Sequence, residues 1–317
     1  MVLKWEQVKK TIGKDDGGKS DLLVRPWNIK WNIINDSFCL EANGSGCLLL
    51  GPHAEGQLCN WLGIPVRYFR ECDPELKKMQ VEHLMRRRLR QDRQWRLRLK
   101  GRIVRGILSE HYQPFDNHKI ISMWETASKP ELFEYELMLD DSFFFLRAIM
   151  LEDRTDTSKL GGLIKGFFVR NSEVGTSALA AGASIYRLVC SNGLVESIYR
   201  KAPLHQRHVW IDEPAFTEKF RSAVSNSLEI AEWTVRQMAD ASRLSASLDD
   251  MVRSLDDLML DEQLRRTVVD SFLAEDDYSI LGVVNALTSA ARSLGPQRRF
   301  DLEAAAGRVL ASIAQNN

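Results

Sequence analysis

Apolar and polar positions alternate along "QWRLRL", where Trp95, Leu97 and Leu99 point one way and Gln94, Arg96 and Arg98 the other. This is the period of two of a half-buried strand. Lys100-Gly101 then predicts a hairpin turn, with "RIVRGILS" as the returning strand. Upstream, "LLVRPWNIKWNIINDSFCLEA" is rich in β-branched and aromatic residues and reads as extended. "NGSG" predicts a turn and "CLLL" a short buried strand. Ala54, Leu58, Trp61 and Leu62 carry helical spacing after Gly51-Pro52. Asp73-Pro74 opens a further helix through about Arg90, with proline in the first turn where its missing N–H costs nothing. A helix is expected from about Asn117 to Thr126. After it come strands in "ELMLD" with "SFFFLRAIML", "LGGLIKGFFVRN" and "ASIYRLVCSN".

Beyond Trp210 the period changes to that of helices, in "AEWTVRQMADASRL", "LDDMVRSLDDLML", "DEQLRRTVVDSFL", "SILGVVNALTSAARSL" and "DLEAAAGRVLASIA". Strands first and helices last predict an α+β protein: an antiparallel β-sheet region with intervening helices, followed by a C-terminal helical region. The expected organisation is an N-terminal arm over residues 1–20, an α+β domain with a basic hairpin over 21–211, and helices over 212–317 packed on it.

Charge changes this picture by its distribution. The total cancels, 43 basic against 43 acidic residues, but residues 1–211 hold 32 basic and 25 acidic groups and the remainder 11 and 18. Ten of the cations fall in "RRRLRQDRQWRLRLKGRIVR" beside one acid, Asp92. Arg86, Arg87, Arg88 and Arg90 lie in the last helical turns, where cations suit the negative end of the helix dipole. Arg93, Arg96, Arg98, Lys100, Arg102 and Arg105 line the polar face of the hairpin. Guanidinium groups crowded on one face repel each other unless a counter-charge is present. Phosphates are one such partner, and acidic C-terminal helices are another. Trp95 belongs to the leucine face and is expected in the core.

"NSEVGTSA" is short, polar and flanked by strands. Asn171, Ser172 and Glu173 offer oxygens to a ligand or hard cation, or an oligomer contact. The plainer reading is a turn in which Asn171 and Ser172 bond local backbone and Gly175 supplies an unusual dihedral. Cys190, His205, His208 and Asp212 fall short of a recognised zinc arrangement, and Cys190 and His208 are expected to be structural. The five cysteines form no C-x-x-C pair and are expected to be free thiols in a reducing cytoplasm. No phosphate loop, nucleophile elbow, H-E-x-x-H or dinucleotide fingerprint occurs, so no cofactor and no metal are expected. No apolar run is long enough for a membrane span.

"LGIPVRYFRECDPEL", "RGILSEHYQPFDN", "VRNSEVGTSAL", "IYRLVCSNGLV" and "NALTSAARSLG" together resemble the phage/plasmid-like family of uncharacterised proteins, domain-of-unknown-function family 932. The resemblance runs from about residue 40 to residue 310 and implies a setting among mobile elements, with no catalytic residue to carry over. Charge and setting lead to the expectation of a non-catalytic nucleic-acid-binding protein. It would favour single-stranded DNA or recombination and replication intermediates, and would act in the cytoplasm as a homo-oligomer. Two other classes compete: a protein-interaction module inhibiting a host defence or nuclease, and a nucleic-acid-processing enzyme using the 171–175 loop or the Cys190/His208 region.

Overall fold

The computed structural model describes residues 2–88, 93–155, 163–187, 192–195, 204–256, 258 and 260–316. It is an α+β protein, rich in antiparallel pairing and helical at its C-terminal end.

The N-terminal segment packs on the rest of the chain. Helix α1 (Trp5–Asp16) sets Trp5, Val8 and Ile12 on one face, and that face packs on Ile120, Trp124 and Tyr135. Leu3 also exchanges backbone hydrogen bonds with Tyr135, at 2.8 and 2.9 Å. The intervening lysines disguise this apolar spacing in the sequence.

A first sheet follows: β1 (Lys19–Val24), β2 (Lys30–Ile34), β3 (Ser37–Glu41) and β4 (Leu48–Leu50), then β5 (Trp95–Lys100) and β6 (Ile103–Ser109). Between β4 and β5 lie α2 (Pro52–Leu62), α3 (Val66–Glu71) and α4 (Pro74–Arg88). The order is β1-β5-β6-β4-β3-β2, antiparallel except for the β4–β6 pair. Consecutive strands β1 and β2 thus lie at opposite edges. Val24 to Lys30 spans about 20–22 Å at full extension, whereas six flat strands at about 4.8 Å spacing would hold the edges about 24 Å apart. The sheet therefore curls, and Asn43 in the β3–β4 turn donates to the Leu23 carbonyl of β1 at 3.2 Å. Helices α2 to α4 cover one face, where Leu58, Leu62, Phe69 and Val81 meet Trp31, Leu40, Trp95 and Leu97. Gly101 makes the predicted β5–β6 turn at φ +58°. A bulge then shifts the pairing from Arg98↔Gly106 to Leu99↔Val104. It lets Val104 and Ile107 both reach the core while Arg105 joins Arg98 on the other face.

The second sheet comprises β7 (Phe133–Leu139), β8 (Phe144–Thr155), β9 (Leu163–Asn171), β10 (Leu179–Arg187) and β11 (Asn192–Val195), in the order β11-β10-β9-β8-β7. A short strand β12 (Leu204–Gln206) also pairs with β10. Helix α5 (Asn117–Ala127) precedes the sheet; α6 (Glu213–Ala241), α7 (Leu248–Asp256), α8 (Glu262–Glu275), α9 (Ile280–Ala291) and α10 (Pro296–Asn316) follow it. Phe144, Leu146, Phe167 and Val169 pack on α1, α5 and the first turns of α6. On the opposite face Phe145, Phe168 and Ala180 meet Phe300 and Ala304 of α10. Cover on both faces explains why these strands read as unbroken apolar runs. The span 21–211 expected as one α+β domain thus holds two sheets with separate cores.

Candidate functional site

The alternation along β5 placed Arg96 and Arg98 opposite the leucines, but that second face is not open to solvent. Arg98 is buried, with Nε 2.8 Å from Asp21, Nη2 2.5 Å from Asp116 and Nη1 donating to the Glu173 carbonyl at 3.0 Å. Burial favours loss of its charge, but Asp116 and Asp21 outweigh that and hold the guanidinium firmly protonated. Arg105 is also buried, 3.0 Å from the Glu173 carboxylate and donating to the Asp141 carbonyl at 2.9 Å. Arg96 pairs with Asp21 at 3.2 Å and Lys100 with Asp15 at 2.7 Å. Arg102 donates twice to the Cys47 carbonyl, at 3.0 and 2.8 Å. The expectation of a phosphate-facing hairpin is thereby corrected for Arg96, Arg98, Lys100 and Arg105, whose counter-charges are carboxylates of this chain. Those carboxylates lie before residue 174, so the acidic C-terminal helices are not the partner either.

The segment "NSEVGT" is the wedge that makes this possible. Asn171, Ser172, Glu173 and Val174 are all buried. Asn171 Nδ2 donates at 2.9 Å to both the Phe115 carbonyl and Asn117 Oδ1. Ser172 Oγ accepts from the Thr176 amide at 3.0 Å and its hydroxyl at 2.8 Å, while Tyr112 Oη donates to the Ser172 carbonyl at 3.1 Å. Across the junction, Gln57 of α2 donates to the Val174 carbonyl at 2.9 Å. Gly175 turns at φ +81°, where an added Cβ would lie 2.8 Å from Leu108. Glu173 is the hub: one oxygen takes Lys19 at 2.8 Å and Arg105 at 3.0 Å, the other the Asn117 amide at 3.0 Å. Burial alone would raise its carboxyl, but Lys19, the Asn117 amide and Arg105 hold it below the usual range. Both Glu173 oxygens are engaged inside the chain, and Asn171, Ser172 and Glu173 are all buried.

Arg86, Arg87 and Arg88 form the last turn of α4. Arg88 donates to the Leu62 carbonyl at 2.6 Å and closes the C-terminus of α2 beside Gly63, at φ +62°. Arg93 lies over the Trp61 ring, 5.4 Å from its centroid. Arg90 falls outside the described residues. Arg86 and Arg87 are exposed, and among the described residues neither has a carboxylate within salt-bridge distance. Arg86 lines a cleft of about 390 Å³ between α4 and the Pro26–Trp31 segment, with Trp27, Lys30, Lys78 and Glu82. A neighbouring cleft of about 460 Å³ adds Ile33, Met79 and His83. The half-buried Trp27 has an indole N–H without a hydrogen-bond partner among the described residues.

His208 is buried and stacked on Tyr112, ring centroids 5.1 Å apart, and burial pushes it down to about 4. Asp212 caps α6, accepting from the Ala215 amide at 3.2 Å. Cys190 lies outside the described residues. Two features escaped the sequence reading. Trp210 stands 82% exposed in a left-handed conformation, φ +56°, stacked on His111. Arg147 is fully buried between Glu136 and Glu303, and Arg299 bridges the same two carboxylates at 2.7 and 3.0 Å. Its one signal was a lone charge inside "SFFFLRAIML". Among the described residues no helix is long and apolar enough to cross a membrane. Compared with protein-family models, curated proteins and solved structures, the chain matches none.

Proposed function

We propose that this chain is a non-catalytic nucleic-acid-binding protein of a phage or plasmid, and that it holds single strands along the cleft between α4 and the Pro26–Trp31 segment. One observation carries the reading: among the described residues Arg86 and Arg87 have no carboxylate within salt-bridge distance, while Arg96, Arg98, Lys100 and Arg105 are paired with carboxylates of this chain. Lys30 and Lys78 line the same cleft as Arg86 and Trp27, and Arg87 follows Arg86 in the last turn of α4. Cations that neutralise phosphates release counterions, which ties affinity to salt. An aromatic side chain at the same groove offers a face for an unpaired base, at about 1–3 kcal/mol per base, and a duplex does not present one. The proposed phage or plasmid setting rests on the resemblance of several sequence phrases to the phage/plasmid-like family.

The experiment is a titration with labelled single- and double-stranded oligonucleotides at two salt concentrations. Single strands should bind more tightly, with affinity falling as salt rises. Replacing Arg86 and Arg87 by alanine should flatten the salt slope by about 0.7 for each phosphate of the single strand that is no longer neutralised. Salt-independent or absent binding would return the cleft to the protein-interaction reading. Metal-dependent cleavage of the oligonucleotide would favour an enzyme.

A further inference from the structure

Trp210 is the most exposed large apolar side chain among the described residues. Its left-handed backbone, φ +56°, is one that a bulky residue rarely adopts and that persists only where the surroundings dictate it. Here Gln113 clamps the chain on both sides of Trp210. Its amide donates to the His208 carbonyl at 2.7 Å, its Nε2 donates to the Ile211 carbonyl at 3.0 Å, and its Oε1 accepts the Ile211 amide at 2.6 Å. Tyr112 and Val209 pair as an antiparallel bridge. His208 is buried against Tyr112, and Ile211 joins the core that holds Phe115 and Phe216. With residues 208 and 211 drawn inward, the turn at 210 presents the indole to solvent. His111 backs the ring, with centroids 5.8 Å and planes 29° apart. The neighbouring carboxylate, Glu110, is engaged: one oxygen accepts the Gln94 amide at 3.1 Å and the other lies 3.6 Å from His111 Nε2. The Gln94 bond sets this pair of rings beside the start of β5, which the exposed Arg93 precedes.

We infer that Trp210 is a stacking platform for an unpaired base of a DNA single strand. The inference rests on the nucleic-acid reading above and adds to it a base contact separate from the phosphate contacts of α4. His111 occupies one side of the indole, and the open side offers a flat aromatic face to a base. Stacking of this kind accepts any base, since every base has a π-face, and a base held inside a duplex has no free face to offer. The clamp fixes the ring before the ligand arrives, so little conformational freedom is lost on binding. The contact involves no phosphate, so it adds affinity without steepening the dependence on salt.

The test compares the full chain with its Trp210→Ala and Trp210→Phe variants. Each is titrated at two salt concentrations with labelled oligothymidylate and with an abasic strand of the same length. Trp210→Ala should weaken oligothymidylate binding by about 5- to 150-fold, the worth of one stacked base, and leave the salt slope unchanged. The abasic strand should bind the unsubstituted chain and Trp210→Ala equally. Trp210→Phe should recover part of the loss, and it keeps the test informative should alanine disturb the clamped turn. Equal oligothymidylate affinity in the unsubstituted chain and Trp210→Ala, with the salt slope intact, would overturn the platform and leave the α4 cleft standing. An equal loss on both strands would also overturn it, because Trp210 would then act through the backbone or the fold. Absence of salt-dependent binding by the unsubstituted chain would overturn both readings.

Discussion

Arg105 and Glu173 form an ion pair at 3.0 Å in which the two side chains expose only 4% and 1% of their surfaces. One partner comes from the first sheet, the other from the loop that leaves the second. Burying charge is costly unless the partners and remaining hydrogen-bond capacity are supplied together. Here Lys19 and the Asn117 amide complete the Glu173 carboxylate, while Asp21 and Asp116 complete Arg98. The basic hairpin and the "NSEVG" loop, two separate features of the sequence, are halves of one junction.

Removing the hub should therefore cost far more than a surface ion pair. Glu173→Gln keeps the shape but leaves Lys19 and Arg105 without their shared anion, and a loss of about 3–5 kcal/mol is expected. Urea unfolding of the two proteins measures it directly. A difference under about 1 kcal/mol would mean that the junction is not held by this charge.

The same carboxylate sets an acid limb. Lys19 and Arg105 on Glu173, and Lys100 and Lys19 on Asp15, overcome burial and lower both groups in the folded chain. A lowered folded value contributes stability that is fully present above the unfolded value, about 4, and is lost as pH falls through the folded one. Melting temperature should thus decline below about pH 4, and Glu173→Gln should make that decline shallower. An acid limb of unchanged steepness in the variant would contradict the assignment.

The order of strands and helices was legible because the period changes from two to 3.6 near Trp210, and the Lys100-Gly101 turn was legible from its residue types. What escaped was which partner covers each face. Alternation sorts Arg96 and Arg98 away from Leu97, but it cannot say whether the other side meets water or the "NSEVG" loop, because that contact joins residues about 75 apart. Helix α1 was missed for a related reason: Trp5, Val8 and Ile12 are too few among lysines to outweigh a polar composition without knowledge of their partner, Tyr135. The positive φ of Trp210 has no residue-type signal at all.

Arg147 offers a test independent of the junction. It is fully buried, 2.6 Å from Glu136 and paired with Glu303, under the Arg299 that bridges both carboxylates. Arg147→Met should destabilise by about 3–5 kcal/mol, because Glu303 is left buried with one cation fewer. Adding Glu303→Met should recover part of that loss, giving a favourable coupling in a double-mutant cycle. Strict additivity of the two substitutions would mean that they do not interact.

The final expectation separates the hairpin arginines from Arg86 and Arg87. Arg96 and Arg98 both engage Asp21, and Arg98 also holds Asp116. Arg96→Ala with Arg98→Ala strands these carboxylates in a covered interface, so the melting temperature should fall sharply. Oligonucleotide affinity and its salt slope should stay unchanged once measured below that transition. Arg86→Ala with Arg87→Ala should do the reverse, since both side chains project into solvent and removing them breaks no ion pair among the described residues. Surface substitutions of that kind typically move stability by no more than about 0.5 kcal/mol. If the first pair proves too unstable to isolate, Arg96→Gln alone retains a hydrogen-bond donor toward Asp21 and tests the same point. Should the hairpin substitutions flatten the salt slope while the α4 substitutions leave it intact, phosphate binding belongs to the junction after all, and the cleft beside Trp27 loses its claim.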